Sequence, residues 1–168
     1  MTRTLILTRH AKSSWSDPLL DDFDRPLNRR GRHSAKAIGA WLQAGGHVPG
    51  EVILSGARRT LDTWAGVSRA MPRSMATRSE SALYHASAGS VLAILRGASA
   101  GTVMLIGHNP GIAEFAYRIV RGRVEHPRFT DYPTCATAVI RFDTNTWQAA
   151  DWNQGELIDF VLPRELLK

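Results

Sequence analysis

Thr102-Val103-Met104-Leu105-Ile106-Gly107, followed without a break by His108-Asn109-Pro110, is the stretch from which the fold is read. The first part is a short apolar, β-leaning run that ends in glycine, which predicts a strand buried on both faces. Asn109 stands where a helix cap belongs. Pro110 falls at the first helical position, where its missing N–H leaves nothing unsatisfied. The segment therefore reads as a buried strand turning directly into a helix, the repeating unit of a helix-covered parallel sheet.

Working outward, the same unit recurs. Thr4–Thr8 is a short apolar run consistent with a buried strand. Asn28 is placed to cap a helix from Arg29 to Ala44, with Ala35, Ile38, Trp41 and Leu42 at helical spacing and Gly45-Gly46 as its stop. Val52–Ser55 predicts a second strand and Ala57–Met71 a second helix, with Leu61, Trp64, Ala65 and Met71 inward. A short strand is expected over Met75–Arg78, and Ser87 caps a helix carrying Val91, Leu92 and Leu95. After Arg121 the pattern changes. Arg121–Pro133 reads as a polar, basic loop with two prolines, and Ala136–Phe142, Thr146–Trp152 and Leu157–Leu162 read as strands, with Asp143–Asn145 as a turn. The expected fold is α/β, a three-layer sandwich with a mostly parallel central sheet, helices on both faces and the last strands at its edge. With no repeat, low-complexity tract or linker, residues 1–168 are expected to form a single domain.

The composition is that of a globular protein, 43% hydrophobic and 21% charged. The lone Cys135 cannot form an intramolecular disulfide, and in its apolar-leaning stretch it reads as a small buried residue. The opening MTRTLILTRH has only a short apolar run, broken by Arg9, so no secretory signal is expected. No stretch approaches the roughly 20 apolar residues of a membrane span. A cytoplasmic protein without a membrane partner is the expectation. The formal net charge of +6 favours anionic ligands. The basic residues are scattered and lack interleaved stacking aromatics, which argues against nucleic acid and leaves a phosphorylated protein or small phosphorylated molecule. No His/Cys/Asp set has metal-ligand spacing, so no metal or other cofactor is expected.

Three strand-to-helix junctions end in cationic or imidazole residues. They are Arg9-His10 after the first strand, Arg58-Arg59 after the second, and His108 after Gly107. In open α/β sheets the carboxyl ends of the strands form the ligand crevice, so these side chains are expected to converge on one anion. A transferring phosphoryl group suits that set. Arginine forks match phosphate oxygens and remain charged, and neighbouring arginines lower a histidine's pKa, keeping it neutral enough to attack phosphorus. A second imidazole can stabilise the spread negative charge.

The motifs bear a specific resemblance. Leu7-Thr8-Arg9-His10-Ala11 resembles the Arg-His-Gly signature of the histidine phosphatase superfamily, with Ala11 in place of glycine. Ser55-Gly56-Ala57-Arg58-Arg59-Thr60-Leu61-Asp62-Thr63 resembles its second motif, with Gly56 and Thr60 replacing the usual proline and alanine. Gly107-His108-Asn109-Pro110 is similar to its third. Arg25-Pro26-Leu27-Asn28 followed by Gly31, Tyr132-Pro133-Thr134, and Asp159-Phe160-Val161-Leu162-Pro163 are similar to the short phosphohistidine phosphatases of the SixA-like subgroup. The resemblance implies a phosphoglycerate-mutase-like fold and ping-pong phosphoryl transfer through a histidine. It implies His10 as nucleophile, His108 as second catalytic histidine, and Arg9 and Arg59 as phosphate ligands. Arg59 is preferred to Arg58 because it stands four residues before Thr63.

Other residues carry weaker expectations. Arg58 reads as a solvated helix residue. Arg25 either helps bind phosphate or pairs with Asp24 or Asp22. His85 can line the crevice, while His33, His47 and His126 are expected at the surface. Trp15 can wall the site, though the core is its default home. Glu80, the sole carboxylate between Asp62 and Glu114, is either a general acid or an exposed turn residue. The expected function is phosphohistidine phosphatase. The alternatives are a general phosphomonoesterase, a mutase (for which the chain lacks covering insertions), and a catalytically idle phospho-ligand binding module.

Overall fold

The computed structural model describes residues 1–72 and 75–167. Its strands are β1 (Arg3–Arg9), β2 (Glu51–Leu54), β3 (Ala76–Ser79), β4 (Thr102–Gly107), β5 (Thr137–Phe142) and β6 (Glu156–Val161). The α-helices are α1 (Arg29–Ala44), α2 (Arg58–Ser68), α3 (Ala88–Arg96), α4 (Gly111–Ile119) and α5 (Pro163–Leu166). One sheet has the order β3-β2-β4-β1-β5-β6. The first four of these strands are parallel; β5 pairs antiparallel with β1, and β6 antiparallel with β5.

Because side chains alternate across a strand, β1 feeds two cores. Leu5 and Leu7 join Val103, Leu105 and the inward residues of α3 and α4, including Leu92, Leu95, Ile112 and Phe115. Ile6 joins Met104, Ile106 and, from α1 and α2, Ala35, Ile38, Leu42 and Val67. The three layers follow from this division. The neighbouring strands β1 and β4 thus send their helices to opposite faces, and a crevice opens at such a switch point. Arg9 is level with Gly107, and the His10 N–H donates to the Gly107 carbonyl at 3.0 Å. The residues that follow both strands are therefore fixed side by side.

Two glycines permit close approaches around this edge. A Cβ on Gly31 would lie 2.1 Å from the Lys12 carbonyl oxygen, so α1 can seat against the loop after β1 only through glycine. Gly111 meets the Ala86 carbonyl in the same way, at 2.2 Å.

Several local expectations are corrected. Helix α2 ends at Ser68 rather than Met71, and Leu61 is exposed; its buried face is Arg59, Thr60, Thr63 and Val67. Trp64 and Met71 pack on the core as expected, whereas Leu61 and Ala65 are exposed because a mostly polar row takes the inward positions. Thr146–Trp152 is not a strand: Trp147–Ala149 forms a 3-10 turn that drives the Trp147 ring into the core, its indole N–H donating to the Ala100 carbonyl at 2.6 Å. Helix α4 starts one residue later than expected, at Gly111, and the Asn109 side chain still accepts from the Ala113 N–H at 3.1 Å. Trp15 is outside the core, with its side chain at the surface.

Candidate active site

His10 leaves the end of β1 and is buried. Its Nδ1 lies 2.7 Å from the Ala11 carbonyl oxygen. A carbonyl only accepts, so Nδ1 carries the proton and Nε2 keeps its lone pair in the neutral ring. Burial, with Arg9, Arg59 and Arg25 nearby, lowers the His10 pKa to about 4, against an opposing effect of the Ala11 hydrogen bond. The ring is thus neutral at physiological pH and presents an unprotonated nitrogen.

His108, just past β4, faces it with a ring-centroid separation of 5.2 Å. Its Nε2 is 2.6 Å from Ser55 Oγ at the end of β2. The Thr60 hydroxyl, which reaches the Ser55 and Ala57 carbonyls, also lies 3.0 Å from Ser55 Oγ, and the Ala57 N–H donates to that oxygen. When Ser55 donates to Nε2, His108 carries its own proton on Nδ1. Burial first, then His10 and Arg59, lower the His108 pKa to about 3.

The two arginines complete the group. Arg9 NH1 donates to the Tyr132 carbonyl at 3.3 Å. Arg59 donates from NH1 to the Asp22 carbonyl at 2.7 Å and from NH2 to Asp22 Oδ2 at 3.0 Å. Arg9 Nε, Arg59 Nε and His108 Nδ1 are buried without a hydrogen-bond partner among the described residues. Buried polar atoms are normally paired, so three orphaned nitrogens in one crevice fit an anion. Thr63 supplies the register of the second motif. Its hydroxyl donates to the Arg59 carbonyl at 2.7 Å and accepts from the Ala11 N–H at 2.9 Å, tying the first turns of α2 to the loop after His10.

The remaining sequence candidates are placed as follows. Arg58 is exposed and reaches Asp62 at 3.6 Å. Arg25 is buried and pairs with Asp22 rather than Asp24, with its Cζ 3.5 Å over the Trp15 ring. His85 stands at the rim, its ring 4.1 Å from that of Tyr84. Glu80 is turned to Arg78 at 3.5 Å, and Arg78 also binds Glu51 at 2.5 Å. His126, expected at the surface, is half-buried, 3.3 Å from Glu165 and packed edge-on against Phe160. Cys135 is buried, with its thiol pushed up to about 12 by desolvation; its N–H bonds both the Arg9 and His10 carbonyls at 3.0 Å. Among the described residues, no three His, Cys, Asp or Glu side chains converge as metal ligands.

Sequence reasoning missed Asp22 as a hub, along with Tyr84, Ser55 and Thr60. The Asp22 carboxylate accepts from Arg25 at 3.0 Å, from Arg59, and from the Tyr84 hydroxyl. The Tyr84 bond first, then those of the two arginines, hold it well below the usual carboxylate range despite partial burial. Its position three residues before Arg25 was the one signal available. The cavity of about 710 Å³ lined by Arg123, His126 and Phe129 contains none of His10, His108, Arg9 or Arg59. Side-chain chemistry, not cavity volume, locates the site.

The profile of the histidine phosphatase superfamily (branch 1) matches residues 5–91. The chain belongs to that superfamily, and it is a hydrolase of the phosphatase class. A protein assigned as phosphohistidine phosphatase SixA from Nakamurella multipartita is similar in structure, with a TM-score of 0.79, 28% identity and 97% of each chain covered. A phosphoglycerate mutase from Plasmodium falciparum shares the fold with a TM-score of 0.62 and 16% identity, over 94% of this chain and 88% of that one. An uncharacterised chloroplast protein of Arabidopsis thaliana is 29% identical, over 89% of this chain and 71% of that protein. No helix among the described residues is long and apolar enough to cross a membrane.

Proposed function

We propose that residues 1–168 act as one catalytic domain that removes phosphoryl groups from phosphohistidine on a protein, with His10 as nucleophile. The observation that carries the reading is the unprotonated Nε2 of His10 in one crevice with three orphaned donors, Arg9 Nε, Arg59 Nε and His108 Nδ1. In the first step His10 Nε2 attacks phosphorus in line. The bond from phosphorus to the substrate imidazole breaks, and its electron pair stays on the departing nitrogen. Water then attacks the phosphorus on His10, releasing phosphate and restoring the free imidazole. Arg9, Arg59 and His108 stabilise the equatorial oxygens in both steps, which is where phosphoryl transfer needs charge.

The substrate class is supported by the carboxylates around the site. Asp22 and Asp131, whose charges reach His108 and Arg9, are both held below the usual carboxylate range, Asp22 by Tyr84 and its arginines and Asp131 by Arg128. Neither aspartate is therefore a proton donor near neutral pH, and the Glu80 carboxylate is directed to Arg78. An alkoxide leaves poorly without a proton donor, whereas a phosphohistidine ring protonated on its other nitrogen departs as neutral imidazole. The similarity to the Nakamurella protein supports the same substrate. A cytoplasmic setting belongs to the proposal and is tested by fractionation.

Turnover across leaving groups tests this reading. Phosphohistidine and aryl phosphates are expected to react well and sugar or glycerol phosphates poorly, with Glu80→Gln changing little. Aliphatic esters as best substrates, with Glu80→Gln lowering their kcat about 100-fold, would establish a phosphomonoesterase instead.

A further inference from the structure

At the same edge of the sheet as the imidazole pair, a cavity of about 300 Å³ gathers four basic side chains. Lys12 comes from the loop after β1, Arg30 from the first turn of α1, Arg128 from the segment between α4 and β5, and Arg164 from α5. Arg128 is matched by Asp131 at 2.8 Å. Lys12, Arg30 and Arg164 take part in no ion pair among the described residues. Ser34 also lines the cavity. It is 7% exposed, and its hydroxyl makes no hydrogen bond among the described residues.

Two of the lining residues adjoin site residues along the chain. Lys12 is two residues past His10, and Thr134, another lining residue, precedes Cys135, whose N–H holds the Arg9 and His10 carbonyls. The register Thr8–Thr137–Val161 brings the end of β6, and hence α5, to the same edge as His10. Among the described residues, four cations and no carboxylate side chain line this space. Cations lining one cavity repel one another in the free protein, and a multiply anionic partner relieves that repulsion.

We propose that the cavity is a second anion subsite that takes carboxylate side chains from an acidic segment flanking the phosphohistidine of the protein substrate. The assignment rests on the phosphohistidine reading above. Individual exposed ion pairs are weak, so a single small anion gains little here. Carboxylates tethered to a phosphohistidine already in the crevice arrive at high effective concentration, and several weak contacts then act together. Such a subsite sets which phosphoproteins are used and how fast they dock, rather than the chemistry at phosphorus.

The test uses two peptides with one phosphohistidine each, one flanked by glutamates and one by serines. At low salt the wild-type protein is expected to prefer the acidic peptide about tenfold in kcat/KM, mainly through KM. The preference is expected to vanish at high salt and, at low salt, in the variant Arg30→Gln/Arg164→Gln. Both substituted side chains are exposed, so the fold is expected to survive. Equal use of the two peptides by wild type, or a preference that survives in the variant, overturns the proposal. So does binding of inorganic phosphate that is lost in the variant while the peptides are used equally, which would make the cavity a small-anion site. If wild type turns over neither peptide, the proposed function fails, and docking is read from fluorescence anisotropy of the unphosphorylated acidic peptide. Tighter binding to wild type than to the variant then supports the subsite, and equal binding overturns it.

Discussion

The imidazole rings of His10 and His108 lie 5.2 Å apart, centroid to centroid, at an interplanar angle of 51°. Each is oriented from outside the pair: His10 by the Ala11 carbonyl and His108 by Ser55. A phosphoryl group between them can be attacked by one ring while receiving a hydrogen bond from the other. Burial disfavours the charged form of both, and His10 further lowers the pKa of His108. The pair is thus kept neutral until an anion arrives, and an arriving dianion favours a proton on His108.

The two adjacent arginines of α2 provide a sharp contrast. Arg59 is buried with an Nε that has no partner among the described residues, whereas Arg58 is exposed. Arg59→Ala is expected to lower kcat about 10²–10³-fold, the effect of removing one donor to a transition-state oxyanion. Arg58→Ala should change kcat by less than about threefold, as surface substitutions do. Steady-state kinetics with an aryl phosphate decides the matter; the reverse order would place the wrong arginine in the crevice.

Ser55 is hydrogen-bonded to His108. Ser55→Ala removes the partner of Nε2 and the acceptor of the Ala57 N–H. We expect kcat to fall about tenfold, with a stability loss of about 1–3 kcal/mol from the buried groups left unpaired. A pH profile separates the two effects. Loss of the Ser55 contact should move the limb assigned to His108, which a purely structural defect would leave in place.

The lowered histidine pKa values also predict the acid response. An unfolded chain titrates imidazoles near 6.5, whereas His10 and His108 in the fold titrate near 4 and 3. Between those values the unfolded state binds more protons, so stability falls as pH drops from 6.5 towards 4 and is fully present above 6.5. Thermal unfolding should show Tm decreasing across that window, and less steeply in His10→Gln/His108→Gln. Catalysis by the nucleophile should persist to near pH 4, because only protonation of Nε2 removes it. An unchanged Tm slope in the double variant would contradict the linkage.

The parts legible in sequence are those whose cause is local. The run Thr102–Gly107 announces β4, and the placement of Arg9, His10 and His108 follows because parallel strands bring their carboxyl ends together. The choice of Arg59 over Arg58 came from the resemblance, whose second motif sets its arginine four residues before the threonine matched by Thr63, and the structure supplies the hydrogen bond behind that spacing. The polar part of α2's inner face was not legible, since Arg59, Thr60 and Thr63 are buried through hydrogen bonds and an ion pair rather than by hydrophobicity. Asp22 was legible only as one of two possible partners of Arg25, not as a hub. Its partners Arg59 and Tyr84 lie 37 and 62 residues away, and no periodicity links such distant positions. Trp15 looked like core by residue type, but the cation it covers, Arg25, belongs to the site rim.

The central claim is that the phosphoryl group passes through His10. Rapid mixing with a labelled phosphohistidine peptide, quenching in alkali to preserve phosphoramidates, and peptide mapping test it directly. The account predicts a burst of label on His10 and none in His10→Ala, whose turnover should be abolished while its fold survives. Label on another residue, or near-normal turnover by His10→Ala, would contradict it.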